Sequence, residues 1–287
     1  MREPEGERMF SLAGRVAVVT GAAGFLGRQH CRALAGAGAT VIATDVDEPG
    51  CEATVTALRR EGSTAVHGVP ADVTDVESLL SLRQATLAIG DRIDVLVNNA
   101  AINDRVATDE DDGDDGAGDE AVALSRFETY PLERWRRVLE VNVTGTFLCC
   151  QVLGSEMARH RRGSIVNVAS TYGMVGPDQR IYRRADGTQS FWKSAAYPTS
   201  KGAVLAFTRF LATTWAEHGV RVNSLSPGGV AQAGQDQQFV EQYAYRTPLG
   251  RMAEPHELSG AIVFLASEAS SYMTGANLVV DGGWTAW

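Results

Sequence analysis

Two side chains in Tyr197-Pro198-Thr199-Ser200-Lys201 stand four positions apart, so on a helix a phenol and an ammonium share one face. A cation beside a phenol favours the phenolate, which draws a group of ordinary pKa about 10 toward the range where it trades protons at neutral pH. That pairing is the kit of a general acid/base. A solvated helical pair would show the same spacing, so the surroundings decide. Lys193 and Lys201 are the only lysines in a chain that otherwise uses arginine, and a glycine-rich segment lies near the N-terminus.

That segment, Thr20-Gly21-Ala22-Ala23-Gly24-Phe25-Leu26-Gly27, follows the apolar run Val16-Ala17-Val18-Val19 and precedes a helix-like stretch from Arg28 to Ala37. Glycines at a strand-to-helix turn let backbone amides and a helix N-terminus approach a pyrophosphate; an ordinary tight turn uses glycine too. Here the context of a Rossmann dinucleotide fingerprint is present, because a second strand, Thr40-Val41-Ile42-Ala43-Thr44, ends in Asp45. An acid at that point accepts hydrogen bonds from the adenosine ribose and repels the extra phosphate of NADP. Arg28 is the one cation close to the turn, and as the start of a helix it is expected to face solvent.

These groups need a frame. Strand-like runs near 15–20, 40–45, 65–69, 93–98, 164–168, 220–225 and 277–281 alternate with amphipathic helical stretches, the pattern of a single α/β domain with a doubly wound parallel sheet of about seven strands. The helix beginning near Pro198 carries Val204, Phe207, Leu211 and Trp215 at core spacing and stops at Gly219. Residues 1–10 read as a flexible tail and 11–287 as the domain, and 44% hydrophobic content suffices for one core. A net charge of −9 argues against nucleic acid or an anionic membrane surface as partner. No apolar run approaches a span of about 20 residues and the start is polar, so a cytoplasmic protein with a small-molecule substrate is expected. Cys31, Cys51, Cys149 and Cys150 lack metal or disulfide spacing, the five histidines are scattered, and no metal site is expected.

The motifs, in order, resemble those of the short-chain dehydrogenase/reductase family over nearly the whole chain from about Leu12. They are the glycine turn, Asp72-Val73, Asn98-Asn99-Ala100, Asn142 in Val141-Asn142-Val143-Thr144-Gly145, Ser170 in Asn167-Val168-Ala169-Ser170, Tyr197 with Lys201, Pro227-Gly228 and Val280-Asp281-Gly282-Gly283. The resemblance implies that Tyr197 moves the proton while hydride passes between substrate and nicotinamide, and that Ser170 holds the substrate oxygen. It further implies that Lys201 lowers the Tyr197 pKa and binds the nicotinamide ribose, and that Asn142 interrupts its helix to fix a water linking Lys201 to solvent. NAD(H) contacts are expected from Gly21, Gly24, Phe25, Leu26, Gly27, Asp45, Asp72, Val73, Asn99, Ala100, Ala101, Pro227, Gly228 and Val230, and the family suggests a homo-oligomer, dimer or tetramer. Three departures stand out. The Gly21-x-x-Gly24-x-x-Gly27 spacing is like the extended branch with its sugar-nucleotide epimerases and dehydratases, Ala101 replaces a usual glycine, and Gln232 replaces a usual threonine.

Two stretches read as insertions. One, near 104–122, is acidic and glycine-rich and should be a solvated loop; counted as a calcium loop from Asp109 it has Asp114 where glycine is required. The other, near 177–193, separates Ser170 from Tyr197 and must loop out beside the reacting oxygen. Tyr172 before it and Arg180, Arg183 and Trp192 within it, with Arg184 and Lys193, are candidate substrate contacts, and its arginines favour an anionic or hydroxylated substrate such as a sugar, aldonate or polyol. An epimerase or dehydratase that retains NAD, and a silent NAD-binding relative, remain as alternatives.

Overall fold

Each of the seven expected apolar runs becomes a strand in the computed structural model, which describes residues 5–103 and 119–287. The strands are β1 Val16–Thr20, β2 Thr40–Thr44, β3 Val66–Gly68, β4 Val95–Asn98, β5 Gly163–Val168, β6 Val220–Pro227 and β7 Asn277–Val280. All pair in parallel, in the spatial order β3-β2-β1-β4-β5-β6-β7. Consecutive residues point to opposite faces of a strand, and here both faces are apolar. Val19, Val41, Val97 and Val166 pack under the helices Phe25–Gly36 and Ser259–Ala266, while Val18, Ile42, Leu96 and Ile165 meet Leu79, Leu82, Leu153 and Leu211 from the other side. Because β1 sits between β2 and β4, the chain winds one way from β1 and the other way from β4. A crevice opens beyond their C-terminal ends, where open α/β sheets bind ligands.

The helix that bears Tyr197 and Lys201 runs Ala196–Trp215, with Val204 and Leu211 buried and a left-handed Gly219 (φ 68°) closing the 3-10 turn that follows it. Pro198 lies in its first turn, where no intrahelical hydrogen bond is lost. A buried amide ladder fixes this helix to the sheet: Asn98 Nδ2 donates to Asn167 Oδ1 (2.8 Å), and Asn167 Nδ2 donates to Thr208 Oγ1 (2.9 Å). These two motif asparagines hold the frame.

Three expectations need adjustment. Glu5–Phe10 is a helix rather than a loose tail, and Phe10 packs against Phe264 with ring centroids 6.5 Å apart, because an apolar end inside a polar sequence finds apolar surface. The helical span Leu132–Arg159 is long and apolar enough to cross a membrane by length and composition; half of its most apolar window is buried, with Leu153 and Met157 in the core. The acidic run lies outside the described residues as far as 118, and its end forms a short helix, Asp119–Ser125. All four cysteines are unbridged and buried, and burial pushes their thiols up, Cys51 to about 11. Among the described residues no cluster of His, Cys, Asp or Glu is arranged to hold a metal.

Candidate active site

A cleft of about 740 Å³ crosses the C-terminal edge of the sheet. Gly21, Gly24, Phe25, Leu26 and Gly27 line it at one end together with Asp45, Asp72, Val73, Asn99, Ala100 and Ala101. Pro227, Gly228 and Val230 close it from β6, and Ser170, Tyr172, Tyr197 and Lys201 line it beyond β5.

The glycine turn is built for close approach. Gly21 has φ 67°, and a Cβ there would lie 2.7 Å from Ala100 Cα; one on Gly27 would lie 2.0 Å from the Gly21 carbonyl oxygen. Thr20 Oγ1 accepts from the amides of Asn99 (3.1 Å) and Ala100 (3.0 Å), and Asn99 Nδ2 donates to the carbonyls of Thr20 and Gly21. Thr20 belongs to the motif, but only the pairing of β1 with β4 reveals it as the brace between the two loops. Asp45, half-exposed, accepts from the Ala23 amide (2.9 Å) through Oδ2 and from the Asp47 amide (3.1 Å) through Oδ1. Its carboxylate therefore shapes the turn as well as facing the cleft. Thr74 holds the Asp72 carboxyl below its usual range by side-chain and backbone hydrogen bonds, with help from the Arg137 charge. A turn of this shape, with an acid at the end of β2, fits the ribose and pyrophosphate of a nicotinamide dinucleotide.

At the other end, Ser170 follows β5 and caps the short turn Thr171–Gly173, accepting from the Tyr172 amide (3.1 Å). Gly173 lets that turn lie against the helix, since a Cβ there would sit 2.8 Å from the Lys201 carbonyl carbon. Lys201 is 3% exposed and donates from Nζ to the Val168 carbonyl (2.7 Å). Burial lowers its pKa to about 8. For Tyr197, burial raises the pKa and a hydrogen bond with Ser170 opposes it. Lys201 is not among the causes that set this pKa: its ammonium is aimed at a backbone carbonyl and stands 5.7 Å from the ring centroid.

Asn142 does interrupt its helix, lying in a π-helical turn, Glu140–Gly145, but it does not line the cleft. Its Oδ1 accepts from the Ile102 amide (2.7 Å), and its Nδ2 donates to the Ile102 carbonyl (3.0 Å) and to Ser200 Oγ (2.9 Å). The side chain therefore ties the loop after β4 to the Tyr197 helix.

The second insertion does border the cleft, though not through its arginines. Arg180, Arg183 and Trp192 are absent from the lining. Arg180 is exposed and forks onto Asp178 (2.8 and 2.9 Å), which also accepts from Arg246; Arg180 first, then Arg246, hold that carboxyl well below its usual range. An arginine with a carboxylate two residues away neutralises it locally. Arg183 is also exposed, and Trp192 donates its amide to Ser125 Oγ (2.9 Å) with Arg126 over its ring, tying the second insertion to the end of the helix Asp119–Ser125. Tyr182, Phe191, Phe239, Tyr243 and Met252 line the cleft instead. Tyr182 hydrogen-bonds Tyr172 through the two hydroxyls (2.9 Å) and stacks on Phe239, while Trp284 stacks on Tyr243 at 4.1 Å. These aromatics come from three separate segments, and no sequence spacing links them. The Asp-Gly-Gly ending serves this wall: Asp281 accepts from the Gly283 and Thr285 amides and so seats Trp284.

Residues 21–285 match the family model described as enoyl-(acyl carrier protein) reductase. Cyclopentanol dehydrogenase of Comamonas sp. strain NCIMB 9872 is 36% identical over 277 residues, covering 95% of this chain and 97% of the relative. Galactitol 2-dehydrogenase (L-tagatose-forming) of Cereibacter sphaeroides is 34% identical over 287 residues, 97% and 98% of the two chains. The crystal structure of a gluconate 5-dehydrogenase from Burkholderia cenocepacia J2315, in complex with NADP and tartrate, superposes with a TM-score of 0.81 at 28% identity, covering 99% and 100%.

Proposed function

The chain belongs to the short-chain dehydrogenase/reductase family, an oxidoreductase acting on CH-OH groups, and from that premise we propose that it interconverts a small alcohol and its carbonyl with NAD(H) as hydride carrier. The observation carrying the proposal is one cleft with Ser170, Tyr197 and Lys201 at one end and the glycine turn and Asp45 at the other. When bound, the nicotinamide supplies or accepts the hydride. Tyr197 takes the alcohol proton as the carbon loses hydride, or returns one to the carbonyl oxygen in the reverse direction. Ser170 holds that oxygen and hydrogen-bonds the phenol, and Lys201 places a compact positive charge beneath it. Asn142 positions the helix through Ser200.

Cofactor choice follows this chain's own residue. Asp45 faces the ribose end, and Arg28 is exposed and does not line the cleft, which favours NAD although the Burkholderia relative is complexed with NADP. The substrate lean toward sugars, aldonates and polyols is supported by the galactitol relative and by phenol and amide groups in the cleft. A cytoplasmic homo-oligomer is part of the same proposal. The glycine spacing alone favours the second reading, an epimerase or dehydratase that retains NAD. A panel of alcohols and carbonyls read at the nicotinamide absorbance separates the two: turnover of free NAD(H) supports the first, and retained NAD with no net redox change supports the second. Tyr197→Phe should abolish turnover while NAD affinity stays nearly intact; retention of more than about a tenth of the rate removes Tyr197 from the mechanism.

A further inference from the structure

Past β6 the chain runs along the cleft as Gly228-Gly229-Val230-Ala231-Gln232, and four of these five amides have acceptors within the protein. Gly228 donates to the Val280 carbonyl (2.9 Å), Gly229 to the Tyr243 hydroxyl (2.5 Å), Ala231 to the Ala253 carbonyl (2.8 Å) and Gln232 to Gln235 Oε1 (2.9 Å). Val230 pairs in parallel with Ala253, but the pairing uses the Gly229 carbonyl, which accepts from the Ala253 amide (2.9 Å), and the Ala231 amide. The Val230 carbonyl accepts from Gln235 Nε2 (3.4 Å). Among the described residues the Val230 amide donates to nothing, and Val230 lines the cleft.

Two consecutive glycines give this stretch wide conformational freedom, so its anchors rather than local preference decide where the Val230 amide points. The Gly229 carbonyl and the Val230 amide belong to one planar trans peptide, so holding the carbonyl toward Ala253 turns the amide the opposite way. On the other side of Gly229, the acceptor is the Tyr243 phenol. That ring is 5% exposed and stacks on Trp284 at 4.1 Å. It occupies the space of the side chain Gly229 lacks, since a Cβ there would lie 2.6 Å from Tyr243 Cζ. A buried amide without an acceptor is costly, so the hydroxyl fixes the peptide that precedes Gly229.

We infer that Tyr243 is a positioning residue for the hydride carrier: by holding the Gly229 amide it keeps the Val230 amide aimed into the cleft, where it donates to the carboxamide on the nicotinamide half of the dinucleotide. The inference rests on the dehydrogenase reading above. It gives a residue outside the Ser170, Tyr197 and Lys201 set a part in seating the reacting ring.

Tyr243→Phe keeps the ring against Trp284 and removes only the acceptor. The probes are NADH or NADPH, whichever the wild type binds more tightly, and the matching ADP-ribose, which lacks the nicotinamide. Loss of one hydrogen bond at the nicotinamide end should raise the calorimetric Kd of the dinucleotide roughly tenfold and leave that of the ADP-ribose within about twofold. Tyr245→Phe, on the same helix but 90% exposed, should move neither constant. With Tyr243→Phe, kcat should fall and the isotope effect from deuterated cofactor should grow as hydride transfer slows. Amide exchange in the wild type gives the same comparison without a variant: Gly229 should be protected with no ligand present, and Val230 should be protected by the dinucleotide but not by the ADP-ribose. Equal weakening of both ligands in Tyr243→Phe, unchanged binding of both, or a Gly229 amide that exchanges as fast as an exposed one overturns the inference and leaves the dehydrogenase reading standing. A wild type that binds neither dinucleotide and turns over no alcohol or ketone defeats that reading and the inference with it.

Discussion

Asp45→Asn tests the cofactor assignment most directly, because it keeps the shape of the side chain and removes only its charge. The carboxylate offers a ribose hydroxyl a charge-assisted hydrogen bond of about 1.5–3 kcal/mol, of which a neutral amide keeps part, so NAD use should fall about tenfold. For NADP the sign reverses. Two like charges about 4 Å apart near a protein surface repel by roughly 4 kcal/mol, and salt and solvent around a half-exposed Asp45 reduce this to roughly 2 kcal/mol, or about thirtyfold. The NAD:NADP ratio of kcat/KM should therefore drop by roughly two to three orders of magnitude. The substitution also disturbs the turn, since Asp45 accepts from both the Ala23 and Asp47 amides and asparagine has one acceptor oxygen for the two. That loss is worth about 1 kcal/mol and lowers both cofactors alike, leaving the ratio intact. The assay is steady-state kcat/KM for each cofactor at saturating substrate, repeated at low and high salt; screening should shrink the wild-type discrimination. A wild type that prefers NADP, or a variant whose ratio moves by less than about threefold, refutes the electrostatic argument.

Three further outcomes follow from the geometry. Gly27→Ala would set a Cβ 2.0 Å from the Gly21 carbonyl oxygen, so it should destabilise the fold by about 1–3 kcal/mol in urea unfolding and abolish measurable NAD binding, whereas Gly24→Ala, with a 3.2 Å approach, should be milder. Burial lowers His30 from its ordinary 6.5 to about 4, so the unfolded chain binds the proton first: stability present above pH 6.5 should be lost as pH falls toward 4, by up to roughly 3 kcal/mol, and His30→Leu should flatten that slope. Burial also lowers Lys201 from 10.5 to about 8, so its charging penalty is fully felt below pH 8 and relieved as pH rises toward 10.5; wild-type stability should gain up to roughly 3 kcal/mol over that window relative to Lys201→Met, and parallel slopes would show the ammonium to be fully compensated where it lies.

Chain-local chemistry was legible from residue order. The strands were readable because Val16–Thr20, Val95–Asn98 and Gly163–Val168 are short apolar runs covered on both faces, and such runs need no partner to announce themselves. The Tyr197 helix was readable from the spacing of Val204, Phe207 and Leu211, and its end from a glycine that adopts φ 68°. The glycine turn and Asp45 were readable for the same reason: their requirements are set by backbone conformation within one strand-turn-helix-strand unit. The arginines of the second insertion misled, because composition counts charges without showing that Asp178 takes up the Arg180 guanidinium and that none of the three lines the cleft. Asn142 was found but its bracing contacts were not, since its partners Ile102 and Ser200 belong to other segments.

Sequence by itself thus determined the fold class, the dinucleotide turn and the Ser170, Tyr197 and Lys201 set, all of which depend on local spacing or on motif order. Only the tertiary structure decided which side chains wall the cleft and how the acid/base is tuned. Tyr182, Phe191, Tyr243 and Trp284 meet from distant positions, Gln179 and Gln189 turn an insertion into a support for Lys193, and burial raises the Tyr197 pKa and lowers that of Lys201. Desolvation and packing are properties of all the atoms that surround a group, and those neighbours exist only once the chain has folded.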